Sequence, residues 1–598
     1  MTGTNEITLH GIGAAAGIVI GKIFVYAKHV PHIEEKTITP ADVEKEIERL
    51  RNAVARSEKE LQKILSFAEQ KIGNSKAKIF EAQIMILGDA ILFDSIYKRI
   101  KKELKNAEFI VHGEIAKYQQ LMMNSTDEYM RERAHDVEDV KNRIIRNIQE
   151  QKLISRFEGG SIVVAQSLTP ADTILFSRNE ILGYATDMGG VTSHAALLSR
   201  SLKIPAVVGL RDVTAHVHTG DMVVLDGYSG VVIVNPTEET MSTYRRRGKE
   251  MARFEHRLGE LKDLPPQTLD GKLVELSSNI EFSGEIRFAK AQGSHGVGLY
   301  RTEGLLIGRD SFPSEEEQYR EYKSIAERVF PNRVIMRSFD IGGDKLYAQS
   351  YSEENPFLGW RGIRVGLDRP EIFLAQIRAM LRASTKKNLW VMFPMISTLK
   401  EVRRAKELVA QAKRELTLGK HPFDEQMKIG VMIEVPSAAV VAGSIAKEVD
   451  FLSIGTNDLI QYLLAVDRGN GIVSQLYQEF DPSVIQTIRH VIKEAHKNKI
   501  PVSMCGEMAG DPMATLLLLG LGLDEFSVIP YILPEIKKII RSVTLREAQK
   551  IAVKALAFAT WEEVKDFLLS HLKRVTPDIP IPSAEAISGV PPQPPPLT

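Results

Sequence analysis

The chain has 598 residues, which at roughly 150 per domain suggests about four domains, or fewer if one is a large α/β barrel. Hydrophobic residues make up 43% and charged residues 26%, ordinary for a globular protein. Lys+Arg and Asp+Glu balance at 77 each, so no global basic field points to nucleic acid or an anionic membrane; the one cysteine, Cys505, excludes an internal disulfide and fits a reducing cytoplasm.

In chain order, residues 1–30 read as strand. The apolar run from Ile12 to Tyr26 carries Lys22 and several glycines, lacks a basic flank and is too short to span a bilayer, so it reads as a buried strand rather than a signal peptide. At Thr39-Pro40 the period changes: a capping hydroxyl precedes proline at the first helical position. Val43, Ile47, Leu50 and Val54, and later Val137, Val140, Ile144 and Ile148, recur at helical spacing, predicting a helical subdomain over 35–150. Strands return at Ile162–Ala165, Val207–Val208, Met222–Leu225 and Val231–Val234, so 1–34 and 151–235 are expected to form one α/β domain around the helical insert. Residues 236–266 are charged, helical in pattern and end at Pro265-Pro266, as a linker helix would.

A different rhythm holds over 267–575. Unbroken apolar runs alternate with helical stretches at Leu273–Leu276, Val297–Tyr300, Val334–Met336, Leu389–Met392, Ile429–Ile433, Phe451–Ile454 and Val502–Met504, with Ile363–Val365 as the candidate eighth. Eight buried parallel strands predict a (β/α)8 barrel, making the whole a multidomain α/β protein. The proline-rich stretch 576–598 is expected to be a disordered tail.

A barrel places its chemistry just after its strands. At those positions stand Arg301, Arg337, Glu434, Asn457, Asp458 and Cys505. Arginine forks bind phosphate and carboxylate, and two carboxylates with an amide suit a hard Mg²⁺ ion that also bonds substrate oxygens. Together they describe a site for a small, doubly anionic, phosphorylated acid. Separately, Gly189-Gly190-Val191-Thr192-Ser193-His194 reads as an exposed turn entering a helix, where imidazole could act as a nucleophile toward phosphorus. His216 and His218, before Thr219-Gly220, read as a solvated turn.

The chain resembles enzyme I of the bacterial sugar phosphotransferase system from about Gly11 to about Phe558. The histidine signature of that family reads here as GGVTSHAALLSR at 189–200. The barrel signatures read GVGLYRTE at 296–303, RSFDIGGDK at 337–345, NPFLGWRGIR at 355–364, IGVMIEVPSA at 429–438, FLSIGTNDLIQYLLAVDRGN at 451–470 and MCGEMAGD at 504–511. The resemblance implies that phosphoenolpyruvate phosphorylates His194, with Thr173 orienting its ring. It implies Glu434 and Asp458 as Mg²⁺ ligands. Arg301, Arg337 and Arg468, helped by Asn457, Asp458 and Arg361, would hold the substrate, and Cys505 would protonate the enolate to give pyruvate. It further implies that 35–150 docks the histidine phosphocarrier protein HPr or a paralogue, that 267–575 dimerises, and that sugar uptake is served from the cytoplasm. The sequence departs from the family at Ala14-Ala15-Ala16, at Val191, where many members have arginine, and at Ser338-Phe339. Val191 resembles relatives that recognise a different phosphocarrier, so a nitrogen-related paralogue of enzyme I is the alternative. Enzymes that make phosphoenolpyruvate with ATP need a nucleotide-binding domain for which 1–160 has no room. A non-catalytic scaffold would not need His194, Glu434, Asp458 and Cys505.

Overall fold

Residues that would be costly to leave in water are buried in several clusters, four of them in the first part of the chain. The computed structural model describes residues 6–26, 33–72, 80, 83–123, 128–149, 159–178, 180–189, 198–199, 202–306, 311–342, 353, 355–468, 470 and 472–579. The chain divides between Arg253 and Phe254 into two units.

The first unit holds an eight-stranded sheet built from β1 (Ile7–His10), β2 (Ile12–Ala15), β3 (Ile18–Tyr26), β4 (Ser161–Ala165), β5 (Gly183–Thr186), β6 (Ala206–Val208), β7 (Met222–Asp226) and β8 (Val231–Val234), in the order β1-β8-β7-β3-β4-β5-β6-β2. Its centre, β3-β4-β5-β6, is parallel, and its edges are antiparallel. Between β3 and β4 stand long helices at Val43–Ile72, Ala90–Glu103, Ala107–Met123 and Glu128–Ile148. Their buried faces, among them Leu50, Leu61, Ile96, Ile110, Val140 and Ile144, form one core that also takes in Ala171 and Ile174 from helix Pro170–Arg178. The insert and the α/β layer are thus joined by shared packing. Strand β5 and helix Pro170–Arg178 are elements that the sequence pattern does not single out.

Helix Glu238–Glu260 carries the chain from one unit into the other. In the first unit its Arg247 Nη1 pairs with buried Asp226 Oδ2 at 2.9 Å. In the second, Lys538 sits 4.9 Å over the Phe254 ring, and Arg257 Nη2 lies 3.1 Å from Asp578 Oδ2.

The second unit is a closed barrel of eight parallel strands: β9 (Glu275–Ile280), β10 (Val297–Arg301), β11 (Val334–Arg337), β12 (Leu389–Phe393), β13 (Ile429–Ile433), β14 (Phe451–Ile454), β15 (Val502–Met504) and β16 (Glu525–Val528). Closure pairs β16 with β9, Glu525 opposite Glu275 and Val528 opposite Ser278. The expected eighth strand is corrected here. Ile363–Val365 opens a helix, Ile363–Asp368, entered through Gly362 at φ 59°, and the eighth strand is β16. Its sequence, Glu-Phe-Ser-Val, concealed it, because Glu525 and Ser527 are buried polar residues that break the apolar run. They are tolerated inside because Arg333 pairs with Glu525 and Ser527 Oγ donates to Asn279 Oδ1 at 2.6 Å.

Residues 576–579 depart from the expected disorder. Thr576 and Ile579 are buried, and Asp578 takes both Lys538 and Arg257, so 576–579 pack against the second unit; residues 580–598 lie outside the described residues. No described helix is long and apolar enough to cross a membrane.

Candidate active site at the barrel mouth

The parallel barrel sends every strand out at the same end, so residues that follow different strands meet there. Arg337 ends β11, and its guanidinium is buried beside two acids: Nη1 lies 3.0 Å from Asp340 Oδ2 and Nη2 lies 3.2 Å from Glu303 Oε2. Glu303 fixes Asp340 in turn, accepting its backbone N–H at 2.6 Å. Arg361 arrives from the β11–β12 connection. It grips Asp340 Oδ2 at 2.9 Å and Asp458 Oδ2 at 3.3 Å. Asp458 stands in the first turn of helix Thr456–Leu464, directly after β14. Arg337, Asp340, Arg361 and Asp458 therefore form a chain of alternating charge that joins the ends of β11 and β14.

Glu434, just after β13, is 2% exposed and accepts a 2.6 Å hydrogen bond from the Met395 backbone N–H. Met395 holds φ 54°, an uncommon conformation for a side-chain-bearing residue. Gly455 lies so close that a Cβ there would stand 2.9 Å from Glu434 Oε2. Burial, and then the negative charges of Asp340 and Asp458, push the Glu434 carboxyl up to about 8. Burial would raise Asp340 also, but Arg337 and Arg361 outweigh it and hold that carboxylate below its ordinary range. Both arginines stay charged: burial works against them, and the surrounding acids more than compensate.

A second cluster adjoins the first. Asn457 Nδ2 donates to Glu507 Oε1 at 2.9 Å, the Glu507 N–H donates to Asn457 Oδ1 at 2.8 Å, and Arg468 Nη1 reaches the same carboxylate at 3.0 Å. Arg468 thus meets Glu507 rather than the Asp340 group. Arg301 ends β10 with an exposed side chain whose charge is felt at Asp340, Glu281 and Cys505.

Cys505 follows β15 and is 4% exposed. Its sulfur accepts from Ser453 Oγ at 3.3 Å, and its carbonyl accepts from Asn279 Nδ2 at 2.9 Å. Burial pushes the thiol up to about 11, against the opposing Ser453 hydrogen bond.

Several buried polar atoms here have no partner among the described residues: Arg337 Nε, Ser338 Oγ and Thr456 Oγ1. An unspent buried donor on an arginine is costly unless a ligand oxygen completes it. Among the described residues no three His, Cys, Asp or Glu side chains gather into a ready-made metal cage. Glu434 and Asp458 could still offer two hard oxygens to an ion that takes its other ligands from substrate and water.

Sequence reasoning missed Asp340, Glu303 and Glu507 as site residues. All three were legible as charges within three residues of Arg301, Arg337 and Cys505, but their partners appear only when the strand ends lie side by side. Of the remaining expected residues, Thr173 belongs to the first unit; it is fully buried, and its hydroxyl donates to the Thr169 carbonyl at 3.1 Å. His194 lies outside the described residues.

Three family profiles match in order: PEP-utilising enzyme, N-terminal, over residues 10–133; PEP-utilising enzyme, mobile domain, over 157–230; and PEP-utilising enzyme, PEP-binding domain, over 255–545. The chain is 43% identical over 573 residues to a phosphoenolpyruvate-protein phosphotransferase of Geobacillus stearothermophilus, covering 94% of this chain and 98% of that one. It is 41% identical over 569 residues to the protein of the same name from Bacillus subtilis (strain 168), covering 94% and 100%. An NMR solution structure of an enzyme I protein aligns over 41% of this chain and 99% of its own, with 41% sequence identity and a TM-score of 0.37.

Proposed function

The chain belongs to the phosphoenolpyruvate-protein phosphotransferase (enzyme I) family, and from that premise we propose that it moves the phosphoryl group of phosphoenolpyruvate to its own His194 and then to a histidine of HPr, releasing pyruvate. The single observation that carries this reading is the set of arginines and acids assembled across the barrel strand ends, with a buried, protonated thiol beside it.

In this reading Arg301, Arg337, Arg361 and Arg468 bind the phosphate and carboxylate of the substrate, and the unspent Arg337 Nε donor is completed by a substrate oxygen. Asn457 and Asp458 position it from the helix after β14. His194 attacks phosphorus in line; the bond from phosphorus to the enol oxygen breaks as that from nitrogen forms. The enolate carbon takes its proton from Cys505 Sγ, and water restores the thiol. Thr173 is assigned to orient His194.

The donor set fits Mg²⁺. Glu434 ionises against both burial and two neighbouring carboxylates, a cost that a divalent cation held by Glu434 and Asp458 removes. When bound, the ion supplies counter-charge to the phosphate oxygens. Residues 35–150 are assigned to dock the phosphocarrier and 267–575 to dimerise, with the protein working in the cytoplasm in sugar uptake.

The test is incubation with labelled phosphoenolpyruvate and Mg²⁺, followed by HPr and its nitrogen-related paralogue offered separately. Acid-labile, base-stable label should appear on the wild type, vanish in His194→Ala and pass to HPr. Label persisting in His194→Ala would sink the assignment, and preferential transfer to the paralogue would move the protein to the regulatory branch.

A further inference from the structure

A buried acid must have its proton aimed as well as held, and the surroundings of Cys505 supply a group that can aim it. The Cys505 backbone is fixed on both sides. Its N–H donates to the Ile454 carbonyl at 3.1 Å, and its own carbonyl accepts from Asn279 Nδ2 at 2.9 Å. Asn279 is held in turn, its Oδ1 accepting from Ser527 Oγ at 2.6 Å. What the backbone leaves free is rotation about Cα–Cβ, which swings Sγ among staggered positions.

The surroundings of Sγ are mainly apolar. Leu299, Ile335, Met392, Met432 and Phe451, one from each of β10 to β14, form a buried cluster with Cys505. Side chains alternate along a strand, so Ser453 of β14 faces the same way as Phe451. Ser453 is fully buried, and its Oγ lies 3.3 Å from Cys505 Sγ. Among the described residues Ser453 Oγ has no other hydrogen-bond partner, so its proton goes to sulfur. The thiol's own proton then has only the Ile454 carbonyl, 3.9 Å from Sγ, and is loosely held there. It is free to turn toward the barrel mouth.

The same contact bears on what the transfer leaves behind. As the S–H bond breaks and the C–H bond of pyruvate forms, the electron pair stays on sulfur, and a thiolate remains in a buried place. Burial opposes that charge most, and Glu434 adds to the opposition; the Ser453 hydroxyl favours it, as do Arg337 and Arg301. Of these groups Ser453 is the one in hydrogen-bond contact with sulfur.

We propose that Ser453 is a positioning residue for the proton transfer, an inference that rests on the reading of Cys505 as the acid. Its hydroxyl donates to Sγ, turns the S–H toward the enolate carbon, and steadies the thiolate until water returns the proton.

The chain has one cysteine, so alkylation by iodoacetamide reports Cys505 alone. The thiolate is the reacting form, and in mildly alkaline solution the rate follows the ionised fraction. Loss of a hydrogen bond to a charged group changes that fraction by roughly tenfold. A thiolate without the bond is also a better nucleophile, which offsets part of the loss. Ser453→Ala should therefore be alkylated about threefold more slowly than the wild type, although its smaller side chain opens access. Ser453→Thr, which keeps the hydroxyl, should recover the wild-type rate. With phosphoenolpyruvate tritiated at one methylene position and heavy water as solvent, Ser453→Ala should give a partly racemised methyl group, and Ser453→Thr a single configuration. The proposal is overturned by alkylation of Ser453→Ala at the wild-type rate or faster, or by a single methyl configuration from that variant. It is overturned equally by a Ser453→Thr protein that melts like the wild type and is alkylated no faster than Ser453→Ala. A single configuration from Cys505→Ala would overturn the underlying reading of Cys505. Alkylation needs no substrate, so it tells the two failures apart.

Discussion

Cys505 is useful in the proposed reaction only while it keeps its proton, and its surroundings ensure that it does. Burial raises the thiol to about 11, so it remains protonated across the neutral range. A thiol tuned in this direction is a poor nucleophile and a serviceable acid. Cys505→Ala should therefore still label His194 from phosphoenolpyruvate, while the enolate takes its proton from water. With substrate tritiated at one methylene position and the reaction run in heavy water, the wild type should give a single chiral methyl configuration and the variant a racemic one. The same configuration from both proteins would exclude Cys505 as the acid. The metal assignment is tested just as locally. Glu434→Gln and Asp458→Asn should each lower Mg²⁺-dependent labelling by roughly a hundredfold or more, because a hard cation needs charge as well as oxygen. The melting temperature should change little, since Arg361 retains Asp340 when Asp458 is neutralised.

At the scale of elements, the connections after strands carry the precision of the site. A Cβ on Gly506 would lie 2.5 Å from the Thr456 backbone nitrogen, so the turn between Cys505 and Glu507 packs directly on the helix that bears Asn457 and Asp458. Gly506→Ala should separate the two segments, lowering both labelling activity and melting temperature; normal activity in a variant of normal stability would show that the approach is dispensable. Helix Leu533–Arg541 makes a different prediction. Its Glu535 is pushed up to about 7, first by burial and then by Glu255 of helix Glu238–Glu260. The folded state then holds this proton more tightly than the unfolded state, so stability should fall as pH rises from about 4.5 to about 7. Glu535→Gln should flatten that part of a melting-temperature profile, and an unchanged slope would remove Glu535 as its cause. These elements also mark what the sequence reveals. Six of the barrel strands, β10 to β15, are legible as apolar runs, β9 only by its first two residues, and Arg301 and Arg337 because they end such runs. Strand β16 was hidden by two buried polar residues, and the roles of Glu303, Asp340 and Glu507 depend on which strand ends become neighbours. That is a property of closure, which no local window of sequence contains.

At the scale of the whole molecule, each unit has its own buried core, and helix Glu238–Glu260 continues through the boundary between them. Calorimetry should accordingly resolve two unfolding transitions. Phosphoenolpyruvate with Mg²⁺ should raise the transition of the barrel, by about 2.7 kcal/mol at a hundred times its dissociation constant, and Glu434→Gln should abolish the shift. A single transition, or a shift confined to the other unit, would refute this division of labour. The pairing of β16 with β9 has a further consequence during synthesis. Strand β9 begins at residue 275 and its partner ends at 528, so at 5–20 residues per second the ribosome leaves one barrel edge open for roughly 10–50 s. The first unit meets its last partner, β8, at residue 234, before any barrel strand has emerged. A nascent chain cut short between β11 and β16 would therefore carry a folded first unit attached to an open, adhesive parallel sheet, a natural substrate for chaperones and proteases rather than a partly active enzyme.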